Sequence, residues 1–247
     1  MDECAVNYRD KVLDVGEKYS FEEGFNGKFG IYRIARIREA LQLLPECGNV
    51  LELGCGEGRI TEFLATRFYR VDAVEPTERA FKIAVERTAD LKNVDINQMF
   101  AEDWHDERTF DCVVATGVLE HVQNVEKFLS VVKRSLKKDG LFILTVPNAS
   151  SLHRRIGLKM GLISRLDELG ALDQRVGHYR YYDFNSLTAD LNANGLLVVS
   201  ARGILLKPLP FGELEKLNGE YLDALFELGN ELPDLCAEIF VVARRMF

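Results

Sequence analysis

An apolar run broken by glycines at alternate positions, Val50-Leu51-Glu52-Leu53-Gly54-Cys55-Gly56-Glu57-Gly58, constrains this chain more than any other stretch. A strand that ends in such a loop and then enters a helix brings bare backbone close to a ligand, because glycine has no Cβ to hold it off. A second apolar run, Val71-Asp72-Ala73-Val74, ends on the acid Glu75. An acid at the tip of the next strand is placed to accept both hydroxyls of a ribose. The two features together require a strand, turn, helix and strand unit of an α/β sheet and point to a nucleoside-bearing ligand.

The spacing narrows the ligand. A dinucleotide fingerprint is G-x-G-x-x-G, whereas here the pattern is G-x-G-x-G and Arg59 stands at the third glycine's place, so a pyrophosphate fits less well than a smaller ligand. The segment from Glu52 to Gly58 resembles the first motif of class I S-adenosylmethionine-dependent methyltransferases of the small-molecule group. That resemblance implies that Glu52, Gly54, Cys55, Gly56 and Gly58 surround the methionine end of S-adenosylmethionine, with Glu75, followed by Pro76, at the ribose. Asp111 to Val122, with its Leu119-Glu120-His121-Val122 ending, resembles the family's fourth-strand segment and implies Thr116 and Gly117 beneath the methionine portion. Leu136 to Asn148 resembles its helix, turn and fifth strand. Phe100-Ala101-Glu102-Asp103-Trp104 resembles its adenine strip, with one departure. Phe100 replaces the usual Asp before the small residue Ala101, so Glu102 or Asp103 must supply any carboxylate and Phe100 is free to pack on the adenine. The family often sets an arginine from the amino-terminal helix on the donor's carboxylate, for which Arg33 and Arg36 are candidates. Phe25, Phe29 and Tyr32 either close over the donor or simply pack.

Strand and helix patterns alternate: strands at 49–53, 70–74, 94–99, 110–115 and 140–146, helices at 58–68, 77–90 and 124–137. This predicts a Rossmann-like α/β fold, a seven-stranded, mostly parallel sheet with helices on both faces and ligands at the carboxyl ends of the strands. Ile31, Ile34, Ile37, Leu41 and Leu44 recur at helical spacing until Pro45, so residues 1–46 are expected to form a helical cover and 47–247 the main domain. After Pro147 the rhythm lapses over about 148–182, an insertion after the fifth strand long enough to serve as a substrate cover. Helix 184–194, strand 196–202, a helical stretch at 213–229 and strand 237–243 follow. In the family the last two strands form an antiparallel edge hairpin.

At 247 residues and 47% hydrophobic content the chain supports one elaborated domain. A net charge of −8 works against nucleic-acid partners, which are bound chiefly by neutralising phosphates. Five cysteines without C-x-x-C spacing suggest neither disulfides nor a metal site and fit a reducing cytoplasm. The amino end lacks the features of a signal peptide, and no apolar run approaches bilayer length, so a soluble monomer or homodimer with a small-molecule acceptor is expected.

Methyl transfer from a sulfonium is an in-line displacement of an already activated group, so alignment and exclusion of water do most of the work. A hydroxyl acceptor must also lose a proton, which favours a histidine, while an amine needs only its neutral form. His178, within Gly177-His178-Tyr179-Arg180-Tyr181-Tyr182, is the first candidate for the base, and His121 beside the donor the second. His153, Tyr179, Arg180 and Tyr182 are candidates for contact with the acceptor, and His105 is expected to face solvent. Transfer to a hydroxyl of a sugar, phenol or other biosynthetic metabolite leads, transfer to an amine is the alternative, and a non-catalytic donor-binding protein is a third reading.

Overall fold

In the computed structural model, residues 8–18, 20, 24–45 and 47–246 are described, without the side chains of residues 24–26 and 211; the side chain of Phe25, and Cys4 with the rest of the amino-terminal segment, lie outside the described residues. The strands are β1 (Asn49–Leu53), β2 (Arg70–Val74), β3 (Val94–Asn97), β4 (Phe110–Thr116), β5 (Leu136–Pro147), β6 (Leu196–Leu206) and β7 (Cys236–Arg245). They form one sheet in the order β3-β2-β1-β4-β5-β7-β6. The first five are parallel, and β7 runs antiparallel between β5 and β6.

The helices are α1 (Tyr8–Lys18), α2 (Gly24–Ala40), α3 (Arg59–Ala65), α4 (Glu78–Arg87), α5 (Val125–Ser135), α6 (Leu152–Lys159), α7 (Ala171–Arg175), α8 (Phe184–Ala193), α9 (Phe211–Leu214) and α10 (Gly219–Leu228). Both faces of the central strands are covered, which is why they read as unbroken apolar runs rather than alternating ones. Val50, Val114 and Ile143 pack with α2, α3 and α10, while Leu51, Val113 and Phe142 pack with α5 and α8.

Several boundaries differ from expectation for local reasons. The helix expected to reach residue 68 stops at Ala65, where the Asn93 amide donates to the carbonyls of Ala65 and Phe68. The stretch at 213–229 is two helices, because the Asn218 side chain accepts from the Tyr221 N–H and starts a new one. Strands β6 and β7 pair antiparallel at one side of the sheet, as expected, with β6 at the edge, but are joined through α9 and α10 rather than by a tight turn. Ile31, grouped by its spacing with the buried stripe of α2, is 58% exposed. Within the insertion, α6 and α7 form, and Asn148 and Tyr182 close its base through a bridge in which the Ala149 N–H donates to the Tyr182 carbonyl.

Arg36 lies away from the strand tips and locks α2 to the carboxyl-terminal helices. Its guanidinium is buried over the Phe226 ring at 4.3 Å, donates to the Gly203 carbonyl and Asn230 Oδ1 and pairs with Glu39, while the Tyr32 ring stacks on the Phe226 ring at 4.7 Å. This corrects its candidacy for the donor's carboxylate. Arg36→Ala removes charged hydrogen bonds and the packing of the side-chain stem together. Chemical denaturation is expected to show a loss of about 2–3 kcal/mol, with donor affinity little changed.

Candidate active site

The loop after β1 is built by three left-handed glycines, Gly54, Gly56 and Gly58, with φ of +78°, +55° and +87°. A Cβ on Gly54 would lie 2.6 Å from Val118 Cγ2, and one on Gly58 3.0 Å from the Ala84 backbone, so those two serve close packing. At Gly56 a Cβ would meet nothing within 4 Å: that is where the loop faces open space and can receive a ligand. Glu75 faces it from the tip of β2. One carboxylate oxygen accepts from the Gly56 N–H at 3.0 Å, and the other accepts from the Thr77 N–H and hydroxyl at 3.0 and 2.7 Å. Burial raises the Glu75 pKa, and the Thr77 and Gly56 donors oppose that shift. Glu52 is buried one layer below and accepts from the Thr61 hydroxyl at 2.6 Å. Cys55 is buried beside it, its thiol pKa pushed up by burial and by Glu52 and Glu75.

Beyond β3 the chain turns at Ala101–Asp103, and here α1 lies over the expected adenine strip. Tyr8 donates to Glu102 at 2.8 Å and its ring approaches Phe100 at 6.0 Å; Arg9 pairs with Asp103 at 2.6 Å and lies 4.6 Å from the Phe100 ring centre. Farther along α1, Glu17 accepts from the Arg79 N–H, and Gly16 packs on Thr77 so closely that a Cβ there would be 2.1 Å from Thr77 Cγ2. Ser20 and Arg79 both donate to Glu57, which closes the glycine loop from the same side.

The third side of the site is the tip of β4. Gly117, at φ +68°, follows Thr116 and leads into a turn carrying Glu120 and His121. Arg33 reaches this point from α2, its Nη2 3.4 Å from where a Gly117 Cβ would be, but its guanidinium makes a two-pronged pair with Glu238. The donor-carboxylate role expected of Arg33 therefore competes with an existing carboxylate. From the insertion, residues 177–180 are laced onto the turn. The Tyr179 N–H donates to the Glu120 carbonyl at 2.8 Å, and Arg180 donates to the carbonyls of Leu119, Val122 and Gln123. The His121 and His178 rings consequently meet edge to face, 4.8 Å apart. Burial raises the Glu120 pKa to about 7 and lowers that of His121 to about 3, with His178 alongside adding to the latter shift.

The remaining sequence candidates divide. Arg180 holds the turn rather than pointing at an acceptor, and Tyr182 is a core residue whose hydroxyl donates to Asp190. Tyr179 stays at the site, its ring between Tyr8 at 5.9 Å and the Lys11 ammonium at 5.2 Å. His153 lies at the start of α6, its N–H donating to the Lys207 carbonyl; burial, then Lys207 and Arg154, lower its pKa to about 3. His105 is exposed, as expected. The sequence reading did not select Glu120 or Asp173, nor Tyr8, Arg9 and Gly16, which the structure brings to the candidate site. The Glu120 signal was present in the Leu119-Glu120-His121-Val122 motif; nothing in the local pattern around Asp173 brings it beside His178.

The close fit of Gly16 on Thr77 is testable because it opposes helix propensity. Gly16→Ala favours the isolated helix by about 1 kcal/mol yet cannot dock without displacing Thr77. Hydrogen exchange read by mass spectrometry is expected to speed up across residues 8–18 in this variant while the sheet stays protected.

A family model described as a methyltransferase domain matches residues 28–201. The mitochondrial ubiquinone biosynthesis O-methyltransferase of Homo sapiens is 28% identical over 168 residues, 65% of this chain and 44% of that protein. The cyclopropane-fatty-acyl-phospholipid synthase of Escherichia coli (strain K12) is 37% identical over 116 residues, 45% of this chain and 29% of the relative. The chain thus spans less than half the length of these relatives. Among solved structures, N-methyltransferase NodS from Bradyrhizobium japonicum WM9 in complex with S-adenosyl-L-homocysteine has a TM-score of 0.62 at 14% identity, covering 97% of this chain and 98% of its own. The geranyl diphosphate C-methyltransferase of Streptomyces coelicolor A3(2) has a TM-score of 0.66 at 14% identity, covering 98% and 100%. These likenesses establish a common fold. Together with a family match across residues 28–201 and the glycine loop and acid at the strand tips, they mean that the chain belongs to the methyltransferase-domain family, in its class I S-adenosylmethionine-dependent branch.

Proposed function

We propose that the protein transfers a methyl group from S-adenosylmethionine to a hydroxyl of a small molecule. The observation that carries this reading is the open space at Gly56 facing the buried Glu75 carboxylate, within reach of a β4 tip whose turn carries Glu120 and His121 beside His178. When bound, S-adenosylmethionine supplies a methyl already activated on a sulfonium. The chain's part is to hold it: Gly54, Gly56 and Gly58 give the backbone approach, Glu75 beside Pro76 takes the ribose, and Ala101, Glu102 and Asp103 border the adenine. Thr116 and Gly117 leave room at the methionine end, whose carboxylate would reach Arg33 only in competition with Glu238.

On the acceptor side, Glu120, His121 and His178 converge from two hydrogen-bonded loops, with Tyr179 nearby, and His153 at the start of α6 stays a candidate for contact with the acceptor. His178 is the residue on which removal of the hydroxyl proton depends. Its position next to a buried carboxylate supports transfer to oxygen, since an amine acceptor has no need of such a group. The ubiquinone relatives act by name on oxygen and NodS by name on nitrogen, so both atoms are represented among similar proteins. None of the described helices is long and apolar enough to cross a membrane.

Two substitutions separate the halves of the site. Glu75→Ala is expected to weaken S-adenosylmethionine binding about tenfold or more by calorimetry, because paired hydroxyls lose a charged acceptor; unchanged affinity would remove Glu75 from the donor site. For His178→Ala, turnover should drop about a hundredfold or more while donor affinity holds. Near-normal turnover would instead identify an amine acceptor.

A further inference from the structure

The meeting of Glu120, His121 and His178 has a property that alignment of an acceptor does not require. Each of the three offers one ligand atom, and these atoms all lie within 4.8 Å of one another. We infer that Glu120, His121 and His178 form a binding site for a zinc-type divalent cation.

The site is built rather than incidental. Glu120 is 3% exposed, and its Oε2 has no hydrogen-bond partner among the described residues. A buried carboxylate oxygen left without a donor is costly, and a cation is one of the few partners that satisfies it. Both loops are fixed from behind: the His121 N–H donates to the Val118 carbonyl, the His178 N–H to the Asp173 carbonyl, and the Tyr179 N–H ties the second loop to the first through Glu120. The left-handed Gly177, at φ +83°, turns the chain so that the two rings face.

A carboxylate also stands behind one imidazole. Asp173 Oδ1 lies 3.5 Å from His178 Nδ1, and Asp173 is itself held by the Tyr181 hydroxyl and the Gly170 N–H. The contact is at ion-pair distance rather than a hydrogen bond, so His178 Nδ1, like Glu120 Oε2, is a buried polar atom with no hydrogen-bond partner among the described residues. Nearby cations are already engaged: Arg33 by Glu238, and Lys11 over the Tyr179 ring.

The donor set selects the ion. Two imidazoles and one carboxylate suit a borderline-soft cation such as Zn2+ or Co2+, with a coordination position left for water, rather than Mg2+ or Ca2+, which prefer oxygen ligands throughout. Tetrahedral ligands at zinc distances stand about 3.3–3.5 Å apart, so the loops close slightly around the ion. An ion held there takes the His178 lone pair away from protons, which makes the site a control over methyl transfer rather than a part of it. The binding itself does not depend on the methyl-transfer reading.

The test is a titration of the full-length, metal-stripped protein with Co2+, followed by displacement with Zn2+. One equivalent of Co2+ is expected to give a visible d–d absorption that one equivalent of Zn2+ abolishes. Glu120→Gln and His178→Ala should each weaken binding at least about tenfold, and Asp173→Asn by a smaller factor, in variants that keep the wild-type near-ultraviolet circular dichroism. X-ray absorption of the zinc-loaded wild type gives a reading that needs no variant, with two imidazoles and no sulfur expected in the first shell. Absence of the absorption band, full affinity in both folded variants, or thiolate sulfur around the zinc would overturn the proposal.

Discussion

The buried carboxylate of Glu75 is the interaction on which the site's shape depends. One of its oxygens holds the Gly56 N–H of the glycine loop and the other holds Thr77 at the start of α4, while the opposite surface of Thr77 is where Gly16 of α1 docks. Loop, strand tip and covering helix are therefore linked through two residues. A carboxylate has about four acceptor positions, and three are in use. In the proposed role, a ribose presenting two hydroxyls would take the vacant position and displace at least one present donor. Of the three, Gly56 belongs to the loop that itself faces the ligand, so ribose binding and loop position are coupled. Backbone packing limits how far that adjustment goes, because Gly54 and Gly58 are wedged against Val118 and Ala84.

The same logic explains the role of α1. Tyr8 and Arg9 occupy the carboxylates of Glu102 and Asp103, groups that an adenine would approach in the proposed site, and both lie against the Phe100 ring. Arg9 lowers the Asp103 pKa through its hydrogen bond, whereas the phenol of Tyr8 is pushed up by burial and by Glu102, so it remains a donor. The helix touches Thr77, the partner of Glu75, at one end and Phe100, Glu102, Asp103 and Tyr179 at the other. Its docking thus spans both halves of the proposed donor site.

How much of this was legible follows from where the information is local. The β1 and β2 spans and the tips of the strands were readable because apolar runs, glycines and terminal acids lie within a few residues of one another in sequence. Helix ends were less so: the stop at Ala65 depends on Asn93, and the break at Asn218 on a capping bond that competes with an otherwise continuous helical pattern. The arginines were the hardest to place. Arg33, Arg36 and Arg180 have the same chemistry in sequence, yet one pairs with Glu238 near the donor loop, one is buried on Phe226, and one braces a turn through carbonyls. Each partner is distant along the chain, and the pairing exists only once the sheet has assembled.

The acceptor side shows most clearly what the sheet adds. Glu120 and His121 follow β4, while His178 and Asp173 lie beyond β5 in a segment without readable periodicity, and Glu238 enters from the antiparallel strand β7. Parallel topology carries β4 and β5 to the same edge, and the antiparallel insertion of β7 brings its amino end there as well. Charges of both signs are thereby gathered in a buried space: Glu238 faces Arg33, and burial lowers the Lys207 pKa to about 8 even with Glu238 and Asp173 opposing it. Such a network is costly if left partly satisfied, and the unpartnered atoms of Glu120, Thr145 and Ser151 lie on the same strand tips and the turn that follows them. Of the six such atoms among the described residues, only Trp104 Nε1 lies outside these tips and the segments that follow β4 and β5, so an acceptor placed there, as proposed, would meet groups that still lack partners.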